Sequence, residues 1–330
     1  MEGPAAARIW WDEAMALPPD ATLADIGEFG LIEAFTALFQ QGPHVLVGPG
    51  DDAAVLRVKT GHVVVSTDLM VEGRHFRRDW ASAADVGHRA AAQNLSDINA
   101  MGGRATSLTI GLAAPADLPA AWATEFAAGF AEEAALVGAS VVGGDLTRAD
   151  EIVIAVTVLG ACTVAPVLRS GAEAGDVVAL AGRQGWAAGG LAVLGRGFRS
   201  PRVLVEAYRR PEPPYDAGAE GATAGATSMI DVSDGLVADA GHLASASAVA
   251  IDLHRGAFEI PEPLQAVGAA LGADPVQFIF GGGDDHALLA TFPDTGSVPT
   301  GWAVVGLVAD GSGVTVDGEA YEGTAGWTHF

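Results

Sequence analysis

The chain is poor in the positive charge that usually holds proteins on nucleic acids or anionic membranes. Among its 330 residues, 17 are basic and 41 acidic, for a formal net charge of −24. Charge of this sign and size repels polyanions, so we expect neither nucleic acid nor a membrane as a partner. A phosphate ligand would need bound divalent cations to reverse the local field, because the protein's own carboxylates repel it.

Cysteine and lysine each occur once, as Cys162 and Lys59. A single cysteine excludes a disulfide within the chain and a multi-cysteine metal site, and it favours a reducing cytoplasm. Lys59 lies outside any Gly-x-x-x-x-Gly-Lys-Ser/Thr motif, which excludes a Walker nucleotide site, and the strand lysine of protein kinases is also missing. Phosphate would therefore be neutralised by metal ions, arginine and backbone amides.

Signal-peptide and membrane-spanning patterns are also lacking. Residues 1–19 contain acidic residues and two tryptophans, but neither a basic start nor a continuous apolar core. The longest apolar stretch, residues 152–168, is interrupted by threonine, glycine and proline. Because it begins with β-branched residues, it predicts a buried strand followed by a turn.

Length and composition favour an α/β (α+β) protein of two domains. A chain of this length exceeds the comfortable size of one core, half its residues are hydrophobic and only 7% are aromatic, so small side chains should pack closely on sheets. We predict an N-terminal extension over residues 1–22, a domain over 23–164 with a mixed sheet and helices, and an α/β domain over 165–330. Their join lies near Pro166.

Hydrophobic periodicity predicts the order of the elements. Helices are expected over residues 30–40, 84–101, 118–137, 186–194 and 234–246. Strands are expected over residues 53–58, 62–66, 105–112, 139–142, 152–159, 176–180, 228–232, 249–253 and 302–307. The first two strands should form a hairpin, which would bring Asp52 and Asp68 to the same end. The small-residue stretch 217–227 predicts a loop.

Aspartates recur where apolar runs end. The motifs are Gly50-Asp51-Asp52, Ser66-Thr67-Asp68, Asn94-Leu95-Ser96-Asp97, Gly143-Gly144-Asp145, Asp231-Val232-Ser233-Asp234 and Gly281-Gly282-Gly283-Asp284-Asp285. Each alone has an ordinary explanation as a turn or helix cap. Together they are hard oxygen ligands, several beside glycines that let a backbone approach phosphate, and they indicate a multi-magnesium site for phosphate chemistry.

In order and spacing, these motifs closely resemble the thiamine-monophosphate kinase family from about residue 23 onward. Glu28-Phe29, His75-Phe76, Arg169-Ser170-Gly171-Ala172 and His329-Phe330 add to the resemblance. That family belongs with aminoimidazole ribonucleotide synthetase and selenophosphate synthetase, which use ATP without a P-loop. The resemblance implies their two-domain fold, a cytoplasmic homodimer formed through the first-half sheet, and Mg²⁺-dependent transfer of the ATP γ-phosphoryl group to thiamine monophosphate.

The resemblance also implies roles for individual residues. The expected ligands of several Mg²⁺ ions are Asp52, Ser66, Thr67, Asp68, Asp97, Asp145, Asp231 and Asp234. Of these, Asp68, Asp97 and Asp234 are expected to be catalytic. ATP is expected along Gly144, Asp145, Arg169 and Ser233, and the substrate at His75, Asp284 and Trp327. The family commonly has Gly-Gly-Glu-Asp-Tyr-Glu where this chain has Gly282-Gly283-Asp284-Asp285-His286-Ala287, which bears on recognition of the pyrimidine end.

Two alternatives remain. A related ligase of the aminoimidazole ribonucleotide synthetase type would activate an oxygen with ATP at a similar site, so substrate choice separates the two. A catalytically silent protein would use its acidic clusters only to bind divalent cations for stability. Selenophosphate synthetase is disfavoured, because its reactive cysteine or selenocysteine and its lysine near the N-terminus have no counterpart here.

Overall fold

The structure is a computed structural model that describes residues 20–47, 55–56 and 62–327. Within these residues the chain forms two large sheets with helices packed on them, together with one small two-stranded sheet. Asp52, His329 and Phe330 lie outside the described residues. No helix of the described part is long and apolar enough to cross a membrane.

The first half is built around a four-stranded sheet. Its elements are α1 (Leu23–Thr36), β1 (Val45–Val47), β2 (Val55–Leu56), β3 (His62–Val71), α2 (Ala83–Ala100), β4 (Arg104–Ala114), α3 (Ala120–Leu136), β5 (Ser140–Arg148) and β6 (Val153–Cys162). The strand order is β3-β6-β4-β5, in which β4 and β5 are parallel and the other pairs antiparallel. Strands β1 and β2 pair separately.

Helix α2 lies close to its neighbours because its sequence supplies small residues where contact is tightest. It begins with a capping box between Ser82 and Asp85. A Cβ on Gly87 would fall 2.1 Å from the Phe126 carbonyl oxygen, so only glycine permits this approach to α3. The close packing fixes the face of α2 that carries Asp97.

The second half is built around a seven-stranded sheet. Its elements are β7 (Val177–Ala181), α4 (Trp186–Gly195), α5 (Arg202–Arg209), α6 (Ala217–Ala224), β8 (Ser228–Val232), α7 (Leu236–Ser247), β9 (Ala250–Leu253), a 3₁₀ turn (Arg255–Ala257), α8 (Glu262–Leu271), α9 (Val276–Phe280), β10 (Ala287–Phe292), β11 (Ala303–Ala309), β12 (Gly313–Val316) and β13 (Glu319–Ala320). The strand order is β13-β12-β9-β11-β7-β10-β8. Apolar clusters cover both of its faces.

Three local predictions are wrong. In the described residues β2 pairs with β1 and β3 pairs with β6, so the expected hairpin does not form. Strand β3 continues to Val71, so Asp68 lies inside the strand rather than past its exit. The stretch predicted as a loop contains α6, since alanines that pattern rules assign to a loop form a helix once one side is buried.

Strand β10 was missed by the sequence patterns. Its six residues are all buried, and it lies between β7 and β8 in the sheet. A short, uniformly apolar run has no periodicity that separates a strand from a loop or a helix. This omission matters, because β10 begins directly after the glycine-rich loop.

Candidate functional site

A cavity of about 160 Å³ lies where the first half meets β8. Its polar lining comes from Ser66 on β3, Asp97 on α2, Arg169 and Asp231. Its apolar lining consists of Val64, Val65, Ile98, Ala100, Met101, Met229 and Ile230. Groups far apart in sequence therefore converge on one small cavity.

Strand alternation explains how the first half supplies two oxygen ligands. Ser66 and Asp68 are two residues apart, so they point to the same face of β3, the face toward α2. The Ser66 hydroxyl donates a hydrogen bond to Asp97, and the Gln93 side chain bonds Asp68. One turn of α2 thus interacts with both strand residues.

The carboxylates crowd each other. Burial, followed by the negative charges of Asp231 and Asp68, raises the pKa of Asp97 to about 7. Burial also raises the pKa of Asp68, against the lowering effects of Gln93 and His286. A site whose carboxylates resist ionisation is one in which a bound cation would be strongly favoured.

His286 is buried within this cluster. Its Nδ1 lies 3.0 Å from Asp231 Oδ2, and both side chains are almost fully buried. Burial alone lowers the pKa of His286, but the hydrogen bond and charge of Asp231 outweigh it and the pKa is raised. In this arrangement the Nδ1–H donates to Asp231 and fixes the orientation of that carboxylate.

A second acidic group lies at the start of α7. Ligand atoms of Asp234, Asp239 and His242 all lie within 4.8 Å of one another. Asp239 accepts hydrogen bonds from the backbone N–H groups of Asp234 and Gly235, at 3.1 and 3.0 Å. Burial, together with the negative charges of Asp231 and Asp234, raises the pKa of Asp239 to about 7 despite those two hydrogen bonds.

The glycine-rich loop is held against Ser233. A Cβ on Gly283 would fall 1.9 Å from the Ser233 carbonyl oxygen, so no other residue fits there. The next residue, Asp284, donates its N–H to the same oxygen at 2.9 Å and has a φ of 67°. Its carboxylate forms an ion pair with Arg89 at 2.7 Å. Asp285 turns inward and accepts the Ala187 N–H at the start of α4.

Arg169 is held by a serine that the sequence patterns did not identify. The Ser247 hydroxyl donates to the Arg169 carbonyl oxygen at 3.0 Å and accepts the N–H groups of Gly171 and Ala172 at 3.0 and 3.1 Å. One side chain therefore organises the loop that brings Arg169 to the cavity. Nothing in the sequence marks Ser247, because its partners lie more than 70 residues away.

Two predicted substrate residues lie near the acidic groups. The Trp327 side chain is 60% exposed, and its backbone N–H donates to the Asp234 carbonyl oxygen at 3.0 Å. His75 Nδ1 accepts the Val71 N–H at 2.9 Å, close enough to Asp68 to affect its pKa. Both residues therefore lie beside aspartates of the predicted site.

Thr67 lies on the opposite face of β3 from Ser66 and Asp68. Its hydroxyl is 2.9 Å from that of Thr157 on β6. Successive residues of a strand point to opposite faces, so the Thr67 side chain points away from the face that carries Ser66 and Asp68. The Thr67 hydroxyl therefore does not join the cluster in this structure.

Gly144 and Asp145 lie at the far edge of the four-stranded sheet. Asp145 pairs with Gly111, Gly111 with Ala155, and Ala155 with Leu69. Three strand spacings of about 4.8 Å separate it from β3, on the face away from α2. The structure of the single chain thus does not bring these two residues to the cavity.

The donor set fits magnesium. The cavity and its surroundings offer hydroxyl and carboxylate oxygens from Ser66, Asp68, Asp97 and Asp231. Mg²⁺ prefers oxygen ligands and usually combines one or two carboxylates with phosphate oxygens and water. Burial raises the pKa of Asp97 and Asp68, and the neighbouring carboxylates add to this shift with negative charge that a bound cation would offset.

The chain is similar to known proteins along most of its length. The family model for the AIR synthase related protein, N-terminal domain, matches residues 50–162. Thiamine-monophosphate kinase of Mycobacterium tuberculosis (strain ATCC 25618 / H37Rv) is 47% identical over 312 residues, covering 94% of this chain and 93% of that relative.

Solved structures give the same result. AaThiL complexed with AMPPCP and TMP superposes with a TM-score of 0.78 at 32% identity, covering 94% of this chain and 99% of the other. Thiamine-monophosphate kinase from Stenotrophomonas maltophilia K279a gives a TM-score of 0.76 at 32% identity, covering 88% and 95%. The α/β fold with two sheets is therefore shared along nearly the whole chain.

Proposed function

Because the chain belongs to the thiamine-monophosphate kinase family, we propose that it transfers the γ-phosphoryl group of ATP to thiamine monophosphate, giving thiamine diphosphate and ADP. The observation that carries this is the convergence of Ser66, Asp97, Arg169 and Asp231, from both halves, on one cavity. Further support comes from AaThiL, which was solved with AMPPCP and TMP together.

Within this proposal, the oxygen ligands hold several Mg²⁺ ions. The cavity region contains Ser66, Asp68, Asp97 and Asp231. Asp234 directly follows Ser233, the residue that the glycine-rich loop contacts. Bound magnesium supplies charge neutralisation for the phosphate oxygens and for the transferring group. The protein's part is to hold these ligands in fixed positions, with His286 orienting Asp231 and Gln93 bonding Asp68.

No strong general base is required. A phosphate monoester has a second pKa of about 6, so the acceptor oxygen is already largely ionised near neutral pH. The site must align the two phosphates and neutralise their negative charge. We propose direct in-line transfer without a covalent enzyme intermediate. Arg169 and Ser233 are assigned to ATP, and His75, Asp284 and Trp327 to thiamine monophosphate.

The open face of the four-stranded sheet supports a homodimer. On β3, the side chains of Val63, Val65 and Leu69 are between 50% and 65% exposed in a row. An apolar strip of this kind on a sheet face favours a covering partner, and we propose a second copy. Gly144, Asp145 and Thr67 belong to this sheet, and their assigned roles rest on the family resemblance.

Domain boundaries and location are proposed with the function. Largely separate apolar cores support a division near Pro166 into residues 23–164 and 165–330. The expected reducing cytoplasm rests on the single cysteine, Cys162, which is free and buried.

The proposal is tested by product formation. The purified full chain with ATP, thiamine monophosphate and Mg²⁺ should form ADP and thiamine diphosphate in equal amounts, measured by chromatography, and chelation should stop both. Asp68→Asn should lower kcat by at least about 100-fold, since it weakens charge neutralisation at the reacting phosphates. Asp150→Asn, an exposed change on the same half, is the matched control.

Two results would contradict the proposal. If ADP does not form in a magnesium- and thiamine-phosphate-dependent manner, the chain is not a thiamine-monophosphate kinase, and the alternatives of a related ligase or a silent cation-binding protein return. If Asp68→Asn turns over normally while its thermal midpoint matches the wild type, the metal assignment on β3 is wrong.

A further inference from the structure

Arg89 is a buried cation that neither the sequence motifs nor the proposed mechanism uses. It lies on α2 with 9% of its side chain exposed. Its Nη2 is 2.7 Å from Asp284 Oδ2, and its Nη1 donates to the Tyr208 carbonyl oxygen at 3.0 Å. The guanidinium also stacks 4.5 Å from the centre of the Tyr208 ring. A charged group fixed on three sides holds one position and one rotamer.

Asp284 has little freedom of its own. Its backbone is in the left-handed region, and the preceding Gly283 touches Ser233 too closely to shift. Only the carboxylate can rotate, and Arg89 binds one of its oxygens. The Asp284 side chain nevertheless remains 39% exposed, so a ligand can still reach it.

The contact also joins the two halves of the molecule. Arg89 belongs to the helix that carries Asp97, whereas Asp284 belongs to the loop bound to Ser233. The ion pair therefore sets the position of a carboxylate in the second half relative to the metal-binding helix in the first. In a phosphoryl transfer, small errors in such a distance reduce the reactive population strongly.

We propose that Arg89 is a positioning residue for thiamine monophosphate: it holds the Asp284 carboxylate in the orientation that binds the substrate. The inference rests on the proposed function. It assigns Arg89 a larger effect on the acceptor substrate than on ATP, because its ion pair is with Asp284. The Arg89 charge also has a lowering effect on the raised pKa of the buried His286, so the route through Asp284 is the one that a double-mutant cycle must isolate.

Arg89→Met is the main test, because methionine keeps a long side chain over Tyr208 and removes the charge. We expect the KM for thiamine monophosphate to rise by about 10-fold or more, the usual effect of losing a charge-assisted hydrogen bond, while the KM for ATP changes by less than about 2-fold. Arg104→Met is the matched control. It breaks another 2.7 Å arginine–aspartate pair between the halves, with Asp216, but one that is exposed on both sides.

A double-mutant cycle with Asp284→Asn separates positioning from general damage. If Arg89 acts through Asp284, the double variant has the same KM for thiamine monophosphate as Asp284→Asn alone. Binding of thiamine monophosphate without ATP, followed by calorimetry, should show the same non-additivity without turnover. If Arg89→Met does not fold, Arg89→Lys, which keeps the charge but not the fork of donors, should give the same selective rise at smaller amplitude.

Distinct outcomes overturn distinct statements. Equal rises in both KM values, or additive effects in the cycle, overturn the positioning role while the kinase assignment stands. An Arg89→Lys variant that folds and raises neither KM also overturns it. A wild-type chain that makes no ADP with thiamine monophosphate removes the proposed function, and the inference falls with it.

Discussion

The two large sheets differ in how they are covered, and this difference governs where functional groups can lie. Every residue of β7, β8 and β10 in the seven-stranded sheet is buried. Among the residues that the structure describes, helices cover one face of the four-stranded sheet, and on β3 exposed and inward residues alternate. The first half thus has two chemically different sheet faces, whereas the strands β7, β8 and β10 of the second half are buried on both faces.

The functional groups follow this division. In the half-covered sheet, Ser66 and Asp68 occupy the middle of a strand, because alternation turns them toward α2 while Val65 and Leu69 turn away. In the covered sheet, a polar group in mid-strand would cost desolvation free energy, so the site draws on strand ends and loops such as Arg169 and Ser233. Asp231, near the end of β8, is tolerated because His286 is its partner.

The largest expected effect tests the covered sheet. Leu289 on β10 is 0% exposed, between Leu180 and Ile230. Leu289→Ala should lower the free energy of unfolding by about 2–5 kcal/mol, the cost of a cavity in a packed core. Urea denaturation followed by circular dichroism measures it. Leu69→Ala removes the same atoms from the open face and should cost less than about 0.5 kcal/mol at low protein concentration.

If both variants lower the free energy of unfolding equally at every protein concentration, the two sheets do not differ in how they are covered. A cost for Leu69→Ala that appears only at high concentration would instead indicate that a second copy covers the open face.

Charge on the open face should break the proposed dimer. Val65→Asp buries an unpaired carboxylate in the interface and should weaken dimerisation by at least about 100-fold. Sedimentation velocity over a concentration series measures this. Val203→Asp, at an exposed apolar position on α5, should leave the dimer unchanged. A wild-type chain that sediments as a monomer throughout, or a Val65→Asp variant that remains dimeric, would refute the interface.

The buried carboxylate cluster should make metal-free stability depend on pH. The pKa of Asp97 is raised from 3.8 to about 7, so the folded state binds the proton more tightly than the unfolded state. Its stabilising contribution is present below pH 3.8 and is lost as the pH rises to about 7. In the presence of a chelator, the thermal midpoint of the wild type should fall as the pH rises from 3.8 to about 7. The midpoint of Asp97→Asn should fall less steeply over the same pH range. Identical slopes would show that Asp97 does not carry the effect.

Magnesium should reverse this loss. At pH 7.5, where Asp97 is ionised, added Mg²⁺ should raise the thermal midpoint of the wild type because it binds the folded state only. The rise should be smaller for Asp97→Asn.

The smallest expected effect concerns the loop before β7. Ser247→Ala removes three hydrogen bonds from residues 169–172 and should raise the KM for ATP by about 2- to 5-fold through a less ordered Arg169. Steady-state kinetics at saturating thiamine monophosphate measures it. Ser245→Ala, exposed on the same helix, is the control. An unchanged KM would mean that Arg169 is held without Ser247.

The aspartate motifs predicted much of the site but not its geometry. Ser66, Asp68, Asp97 and Asp231 were identified in the sequence, and the structure brings them to one region. Thr67 is adjacent to Ser66 and Asp68 in sequence but lies on the opposite face of β3, because a strand has a two-residue period. The hairpin failed for a related reason: a short turn favours local pairing, but β3 binds a strand that begins more than 80 residues later.

By itself, the sequence determined the chemistry: oxygen ligands without a phosphate-binding lysine, an acidic surface, and motifs whose order identifies the family. These are properties of residue type and spacing, and they do not depend on how the chain folds. Only the tertiary structure decided which groups act together. The pairs Arg89–Asp284, His286–Asp231 and Ser247–Arg169 each join distant segments. Their partners are chosen by packing and by the need of buried charges for neutralisation, and neither is encoded in any local pattern.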